Sequence, residues 1–205
     1  MKILTISTSS QTTYFLFSTI ESRPNQNTKI QDIYKQVKII NTVTDNNYSV
    51  VENIGQLYKK TVKNNNPEFL IIDKGPGSFT GIRTAVTFAK GLTIGTETAL
   101  RTVSILDSLA LQKQFNSENI KSTAQIDARN GNVYSTTLKF NTFPEPKSRN
   151  QIIFKKSKKF DSITEETMKF LTILGIYDLA QYGTEIAENI LPLYGNPVNI
   201  TKPKK

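Results

Sequence analysis

Histidine and cysteine, the residue types behind much of enzyme chemistry, are both missing from this 205-residue chain. Without them there is no Ser-His-Asp triad, Cys-His dyad, HExxH metalloprotease centre or Cys/His zinc site. No disulfide can form, so nothing argues for an oxidising compartment. Long apolar runs are lacking too. Aliphatic and aromatic residues run together for no more than four positions, as from Phe69 to Ile72, against the roughly 20 that a membrane-spanning helix needs. The opening stretch from Met1 to Ser10 is too short, and too often broken by hydroxyls, for a secretory h-region. The expectation is a cytoplasmic protein with no membrane partner.

What is present fits a folded chain. Apolar residues make up 37% and charged residues 21%, which separates it from a disordered tail. The length suits one large domain or two small lobes. Lys and Arg number 26 against 17 Asp and Glu, a net charge of +9. Such a balance suits a polyanion, because basic side chains on phosphates release counterions. However, 21 of the 26 are Lys, and Asn and Ile are abundant as well, the bias that A/T-rich codons produce. The clusters Lys155, Lys156, Lys158, Lys159 and Lys202, Lys204, Lys205 have no Arg among them, and only Phe154 and Phe160 as aromatic neighbours. They are read as solvated surface.

Residues 2–8 and 12–19 have the β-branched and aromatic content of two strands, with Ser9, Ser10 and Gln11 turning between them. After a polar loop from Glu21 to Thr28, residues 36–43 read as a third strand. Apolar residues at three- and four-residue spacing predict a helix over 49–63. Residues 68–73 form a short apolar strand, and helical sequence runs from the following glycine loop to about Thr96. The order βββαβα belongs to a ribonuclease-H-like lobe, placed at residues 1–100. A smaller, diverged lobe is placed at 101–205. It holds a helix over 104–112, a hairpin over 122–140, a Pro/Lys-rich loop over 143–150, a strand over 151–155 and weakly patterned helices. Asn130-Gly131 suits a two-residue type I′ turn in the hairpin. Asp127 and Arg129 could pair there, with no base or metal ligand beside Asp127 to give it a catalytic role.

The loop Gly75-Pro76-Gly77-Ser78-Phe79-Thr80-Gly81-Ile82-Arg83 is the most informative stretch. A glycine loop between strand and helix can aim backbone N–H groups at a phosphate. It fails the dinucleotide fingerprint, because position 80 is Thr, and it fails the P-loop, because Gly81 is followed by Ile82. It also fails the Gly-x-Ser-x-Gly elbow, because Ser78 is misplaced. The plainer reading is a tight turn with Ser78 or Thr80 capping the next helix.

The whole string GPGSFTGIR closely resembles the signature of the bacterial TsaB (YeaZ) family, which takes part in making N6-threonylcarbamoyladenosine at position 37 of tRNA. Other segments resemble that family in the same order. They are Ile3-Leu4-Thr5-Ile6 with Thr8, Ala89-Lys90-Gly91-Leu92, Val103 to Ala110, Ile126-Asp127-Ala128-Arg129-Asn130-Gly131-Asn132-Val133-Tyr134, and Pro192 to Val198. The resemblance implies an actin/Hsp70/sugar-kinase-like α/β fold of two ribonuclease-H-like lobes, the second reduced. It implies a non-catalytic subunit that pairs with a TsaD-like catalytic protein, joined by a TsaE-like ATPase, and meets tRNA indirectly. A homodimer is the other pairing it allows. No cofactor is expected on this chain alone, with ATP or ADP having a place only at the interface of the complex.

Some residues depart from the family pattern. Ser7 stands where members usually carry Asp, the residue that in kinases of this fold helps to hold Mg²⁺ and phosphate. Tyr48, Asn132 and Gly195 replace a His, a Glu and an Arg. The competing reading, an ATP-dependent phosphotransferase of the same fold, is weakened by Ser7, and a peptidase is weakened by the missing His and Cys.

Two helices are the candidate partner surface. Val50, Ile54, Leu57 and Thr61 form one stripe of the first, and Val51, Tyr58 and Val62 form another beside it. Ile82, Val86, Ala89 and Thr93 share a face of the second, with Ala85, Phe88 and Leu92 adjoining, and Gly91 and Ala85 would let another helix approach closely. One stripe about 100° wide suffices for a helix lying on a sheet. Two adjoining stripes predict burial on more than one side, whether against a partner or wholly inside this chain's own core. The resemblance favours the partner, since the family's heterodimer uses these two helices.

Overall fold

A computed structural model describes residues 1–46, 50–117, 121–139 and 152–194. Tyr48, the 143–150 loop, Gln151, Gly195 to Val198 and the lysines at 202, 204 and 205 lie outside the described residues. Among the described residues, eight strands and five α-helices follow one another as β1 (Lys2–Ser7), β2 (Thr13–Thr19), α1 (Ile30–Gln36), β3 (Lys38–Asp45), α2 (Val50–Val62), β4 (Phe69–Asp73), α3 (Phe79–Thr93), β5 (Ala99–Val103), α4 (Ile105–Phe115), β6 (Lys121–Asp127), β7 (Asn132–Lys139), β8 (Ile153–Lys156) and α5 (Glu165–Tyr182). Among the described residues, no helix is long and apolar enough to cross a membrane.

The strands form a five-stranded sheet in the order β3-β2-β1-β4-β5 and a three-stranded sheet in the order β6-β7-β8. β1, β2 and β3 pair antiparallel, while β1, β4 and β5 pair parallel. This is the ribonuclease-H-like order expected for the first lobe. The parallel strands are buried on both faces, which is why β4 reads as the unbroken apolar run Phe69–Ile72. The third strand begins at Lys38, not at residue 36. The residues before it form α1, a seven-residue helix that buries Ile30 and Ile33. The division at residue 100 falls inside β5, whose residues Ala99 to Val103 pair with Phe69 to Asp73.

Helices cover both faces of the larger sheet. On one face Leu4, Ile6, Leu70 and Ile72 meet α2 and α3 through Ile54, Leu57, Ile82, Ala85, Val86 and Ala89. On the other, Ile3, Leu16, Phe69 and Ile71 meet α1 and α5 through Ile33, Met168, Phe170, Leu171 and Leu174. α5 is the least conspicuous helix in the sequence, yet ten of its 18 residues are buried. Its middle, from Phe170 to Ile176, is buried all round and so carries no one-sided apolar stripe. Thr164 caps its start, its Oγ1 accepting from the Thr167 N–H while its own N–H donates to Thr167 Oγ1. Thr5 Oγ1 and Thr172 Oγ1 lie 2.6 Å apart, tying β1 to α5 inside the core.

The smaller sheet packs on α4, with Leu106, Leu109 and Ala110 against Ala124, Ile126 and Leu138. Its hairpin turns through Arg129, Asn130 and Gly131, with φ values of 66°, 53° and 71°, and the Ala128 N–H donates to the Asn132 carbonyl at 2.9 Å, so the loop has three residues where the sequence predicted a two-residue type I′ turn. The Arg129 carbonyl accepts from the Asn132 N–H at 3.0 Å. Asp127 Oδ1 accepts the Arg129 backbone N–H at 2.8 Å, a local turn contact.

Residues after α5 run along the outer edge of β5. The Glu185 N–H donates to the Leu100 carbonyl at 2.9 Å, and Glu185 Oε2 accepts from Thr102 N and Thr102 Oγ1 at 2.9 and 2.7 Å. The buried Arg101 guanidinium donates to the Gly183 carbonyl at 2.9 Å. This strap closes a sheet edge that would otherwise template pairing with another chain.

Two glycine substitutions test this packing in opposite directions. A Cβ on Gly175 of α5 would come within 2.7 Å of the Ile71 side chain. Gly175→Ala should therefore lower stability by about 1–3 kcal/mol, as overpacking does. A Cβ on Gly91 of α3 would meet nothing within 4 Å. Gly91→Ala should raise the stability of the isolated chain by up to ~1 kcal/mol through helix propensity. Urea unfolding of the two variants gives both signs.

Candidate partner face and the glycine loop beside it

Four segments converge on one buried carboxylate. Asp73, the last residue of β4, is fully enclosed. Its Oδ2 accepts from Ser7 Oγ at the end of β1 at 2.6 Å. Its Oδ1 accepts the Gly75 N–H of the glycine loop at 2.8 Å and the Ile105 N–H opening α4 at 3.2 Å. Burial pushes the Asp73 carboxyl above its usual range, opposed by hydrogen bonds from Ser7, Ser9 and the Gly75 and Ile105 amides. Sequence reading passed over Asp73 as a strand terminus. The available signal was a lone carboxylate closing an otherwise apolar strand.

The glycine loop lies against the turn after β1. The Ser78 N–H donates to the Ser9 carbonyl at 2.7 Å. Gly77 has φ 154°, and a Cβ there would overlap the Ser9 carbonyl, while one on Gly81 would overlap the Thr8 carbonyl. These two glycines are needed because another backbone touches theirs. Ser78 is the cap, its Oγ accepting from the Gly81 N–H at 3.3 Å, whereas Thr80 lies exposed in the first turn of α3. Gly75 and Pro76 are buried. Phe79 projects outward, stacked on Tyr194 at 5.0 Å with Arg83 over its ring at 5.1 Å.

The two candidate helices lie side by side on the sheet. Val50, Ile54, Leu57, Thr61, Ile82, Ala85, Val86 and Ala89 are all buried in this chain. Ala85 and Ala89 thus face the sheet and not a partner. Of the candidate set, Tyr58, Phe88 and Leu92 are half-buried at the outer rim, Tyr58 meeting Phe88 edge-on at 5.6 Å. The outer face also carries Val51, 59% exposed, with Gly55 and Gly91. A Cβ on either glycine would meet nothing. Val51, Gly55 and Tyr58 follow at spacings of four and three on α2, and Phe88 and Gly91 at three on α3, so each set shares one face. Val51 belongs to the second stripe read from the sequence, whereas Gly55 was missed, because pattern reading weighs apolar stripes and not gaps.

Two sheets, five helices and a ribonuclease-H-like first half place the molecule in the actin-like α/β class. Residues 48–184 match the family described as TsaD: tRNA N6-adenosine threonylcarbamoyltransferase, and the chain belongs to that family. Within it, the chain is TsaB/YeaZ-like. It is 40% identical over 65 residues to the tRNA threonylcarbamoyladenosine biosynthesis protein TsaB of Escherichia coli K12, a match covering 32% of this chain and 28% of that protein. YeaZ from Pseudomonas aeruginosa shares the fold with a TM-score of 0.65 at 14% identity, over 94% of this chain and 99% of that one. A second structure, described as an uncharacterized protein with similarity to peptidase YEAZ from Pseudomonas aeruginosa, gives a TM-score of 0.62 at 14% identity, over 95% and 99%.

Asp73 gives a test with a definite sign. Because its folded pKa is raised, its contribution to stability is fully present below the unfolded value and is lost as pH rises through the folded one. Asp73→Asn keeps an oxygen for both amides and offers N–H to Ser7, so its stability relative to the parent should improve as pH rises. Asp73→Ala strands two amides and a hydroxyl and should cost about 2–5 kcal/mol. Denaturant titrations across the acid range measure both.

Proposed function

We propose that the chain is a non-catalytic pairing subunit in the formation of N6-threonylcarbamoyladenosine on tRNA, docking the outer face of α2 and α3 onto a TsaD-like catalytic subunit, with a TsaE-like ATPase joining the pair. The observation that carries this reading is the pair of helix-interior glycines, Gly55 and Gly91, on one outer face with open space where side chains would stand. In an isolated helix each costs about 1 kcal/mol relative to Ala. A second pair of helices packing closely over them gives that cost a purpose, and Val51, Tyr58 and Phe88 supply apolar area around the gap. The 65-residue likeness to TsaB supports the same pathway.

The neighbourhood of the glycine loop speaks for a structural part and against phosphoryl transfer. Ser7 stands at the position where kinases of this fold use Asp, and its hydroxyl is directed at Asp73 in the interior. Asp73 has no face open to solvent from which to hold a hydrated cation. The Ser9 carbonyl takes the Ser78 N–H that an anion would need.

Co-expression with the TsaD-like protein of the same genome, followed by size-exclusion chromatography, should give one peak. Phe88→Glu combined with Val51→Glu should leave the isolated chain folded by circular dichroism and abolish co-elution. Ala89→Glu, placed in this chain's own core, should instead lower its unfolding midpoint. Co-elution that survives the double substitution would exclude this face. A parent chain that self-associates through it would lose its dimer in the same variant.

A further inference from the structure

The smaller sheet presents a basic surface that the pairing reading does not use. β8 is its edge strand and all four of its residues are exposed. Lys155 and Lys156 end that strand, and Lys158, Lys159 and Phe160 follow on an exposed strap folded back over the hairpin. Hydrogen bonds hold the strap in place. The Ser157 N–H donates to the Gly131 carbonyl at 3.0 Å and the Asp161 N–H to the Gln125 carbonyl at 2.7 Å, while the Gln125 N–H donates to Asp161 Oδ2 at 2.8 Å. With its amide turned to match its neighbours, Gln125 accepts from Lys155 Nζ at 2.8 Å and donates to the Lys159 carbonyl at 2.9 Å.

Four ammonium groups within five residues thus sit on an ordered frame. Residues 152–160 contain no carboxylate. The next acid, Asp161, is paired with Lys113 at 2.7 Å. Among the described residues, none of the four lysines lies within 4 Å of a carboxylate. Like charges gathered without counter-charges repel one another, and an external polyanion relieves that repulsion. Two rings stand beside them: Phe154, 41% exposed and 5.7 Å from Tyr134, and Phe160, 53% exposed. Lysines interleaved with open aromatic faces match the combination that holds nucleic acid with unpaired bases, the ammonium groups on phosphates and the rings under bases. A lipid surface would call for a broad apolar helix face, and an acidic protein would have no use for the exposed rings.

We infer that the β8 edge and the 157–160 strap form a contact surface for the phosphodiester backbone of an RNA with unpaired bases nearby. This rests on the tRNA-modification reading for its natural ligand and replaces an indirect meeting with tRNA by a direct one. No Arg takes part, so the contact positions the RNA without reading its sequence.

The test uses the full chain, alone and with its TsaD-like partner, and follows fluorescence anisotropy of a labelled tRNA and of a stem–loop RNA across a salt series. Lys156→Gln, Lys158→Gln and Lys159→Gln together should weaken binding about tenfold or more at low salt and reduce the salt slope by about 2, at roughly 0.7 per phosphate contact for unpaired RNA. Lys29→Gln, Lys35→Gln and Lys63→Gln together, an equal loss of charge elsewhere, should change little. Phe154→Ala with Phe160→Ala should weaken the loop RNA more than a blunt duplex. Circular dichroism confirms that each variant is folded. The inference is overturned if the first triple variant matches the second in both preparations. It is also overturned if polyglutamate or phosphatidylserine vesicles bind with the same lysine dependence as RNA. Loss of RNA dependence with co-elution intact removes this contact alone, whereas failure to co-elute removes the pairing reading whatever the RNA does.

Discussion

The buried carboxylate of Asp73 fixes where everything else stands. It joins the end of β1, the end of β4, the start of the glycine loop and the first turn of α4 through three short contacts. A carboxyl group wholly inside a protein is tolerated only when its polar atoms find hydrogen-bond partners, and here each partner comes from a different segment. The arrangement is thus both costly to bury and costly to disturb. It sets the direction in which α3 leaves the sheet, and so the outer face that α3 shares with α2. It also sets where α4 begins, and α4 carries the smaller sheet. Both surfaces given a role here, the helix pair and the basic strap, are oriented from this one point.

Much of this was legible in the sequence. β1, β2 and β4 carry the β-branched and apolar runs that strands need, α2 repeats at helical spacing, and Asn130-Gly131 marks its hairpin. Three elements escaped for physical reasons. α1 spans seven residues, too few for a periodic pattern to stand out from a polar loop. β5 contains Arg101, whose charge suggests solvent, whereas the side chain is buried against the Gly183 carbonyl and the Tyr182 ring. α5 shows no amphipathic stripe because its middle, Phe170 to Ile176, is buried on every side and has no solvent face to contrast with a core face.

The partner face shows a related limit. Periodicity identifies residues that avoid water but not what shields them. Eight of the eleven candidate positions are buried within the chain itself, and the outer surface is marked as much by what is missing, at Gly55 and Gly91, as by what is present. The glycine loop was recognised by its string of residues, while the reason for two of its glycines, contact with the Thr8 and Ser9 carbonyls, depends on a turn almost seventy residues earlier in the chain.

The position of α5 has a consequence for how the molecule comes into being. The larger sheet begins at Lys2, yet one of its covers is supplied by residues 165–182. During synthesis, at roughly 5–20 residues per second, Ile3, Leu16, Phe69 and Ile71 stay without that cover until nearly the whole described chain has left the ribosome. Maturation of this protein is therefore a late, concerted event, and a nascent chain stalled midway would present a bare apolar face to whatever chaperone is nearby.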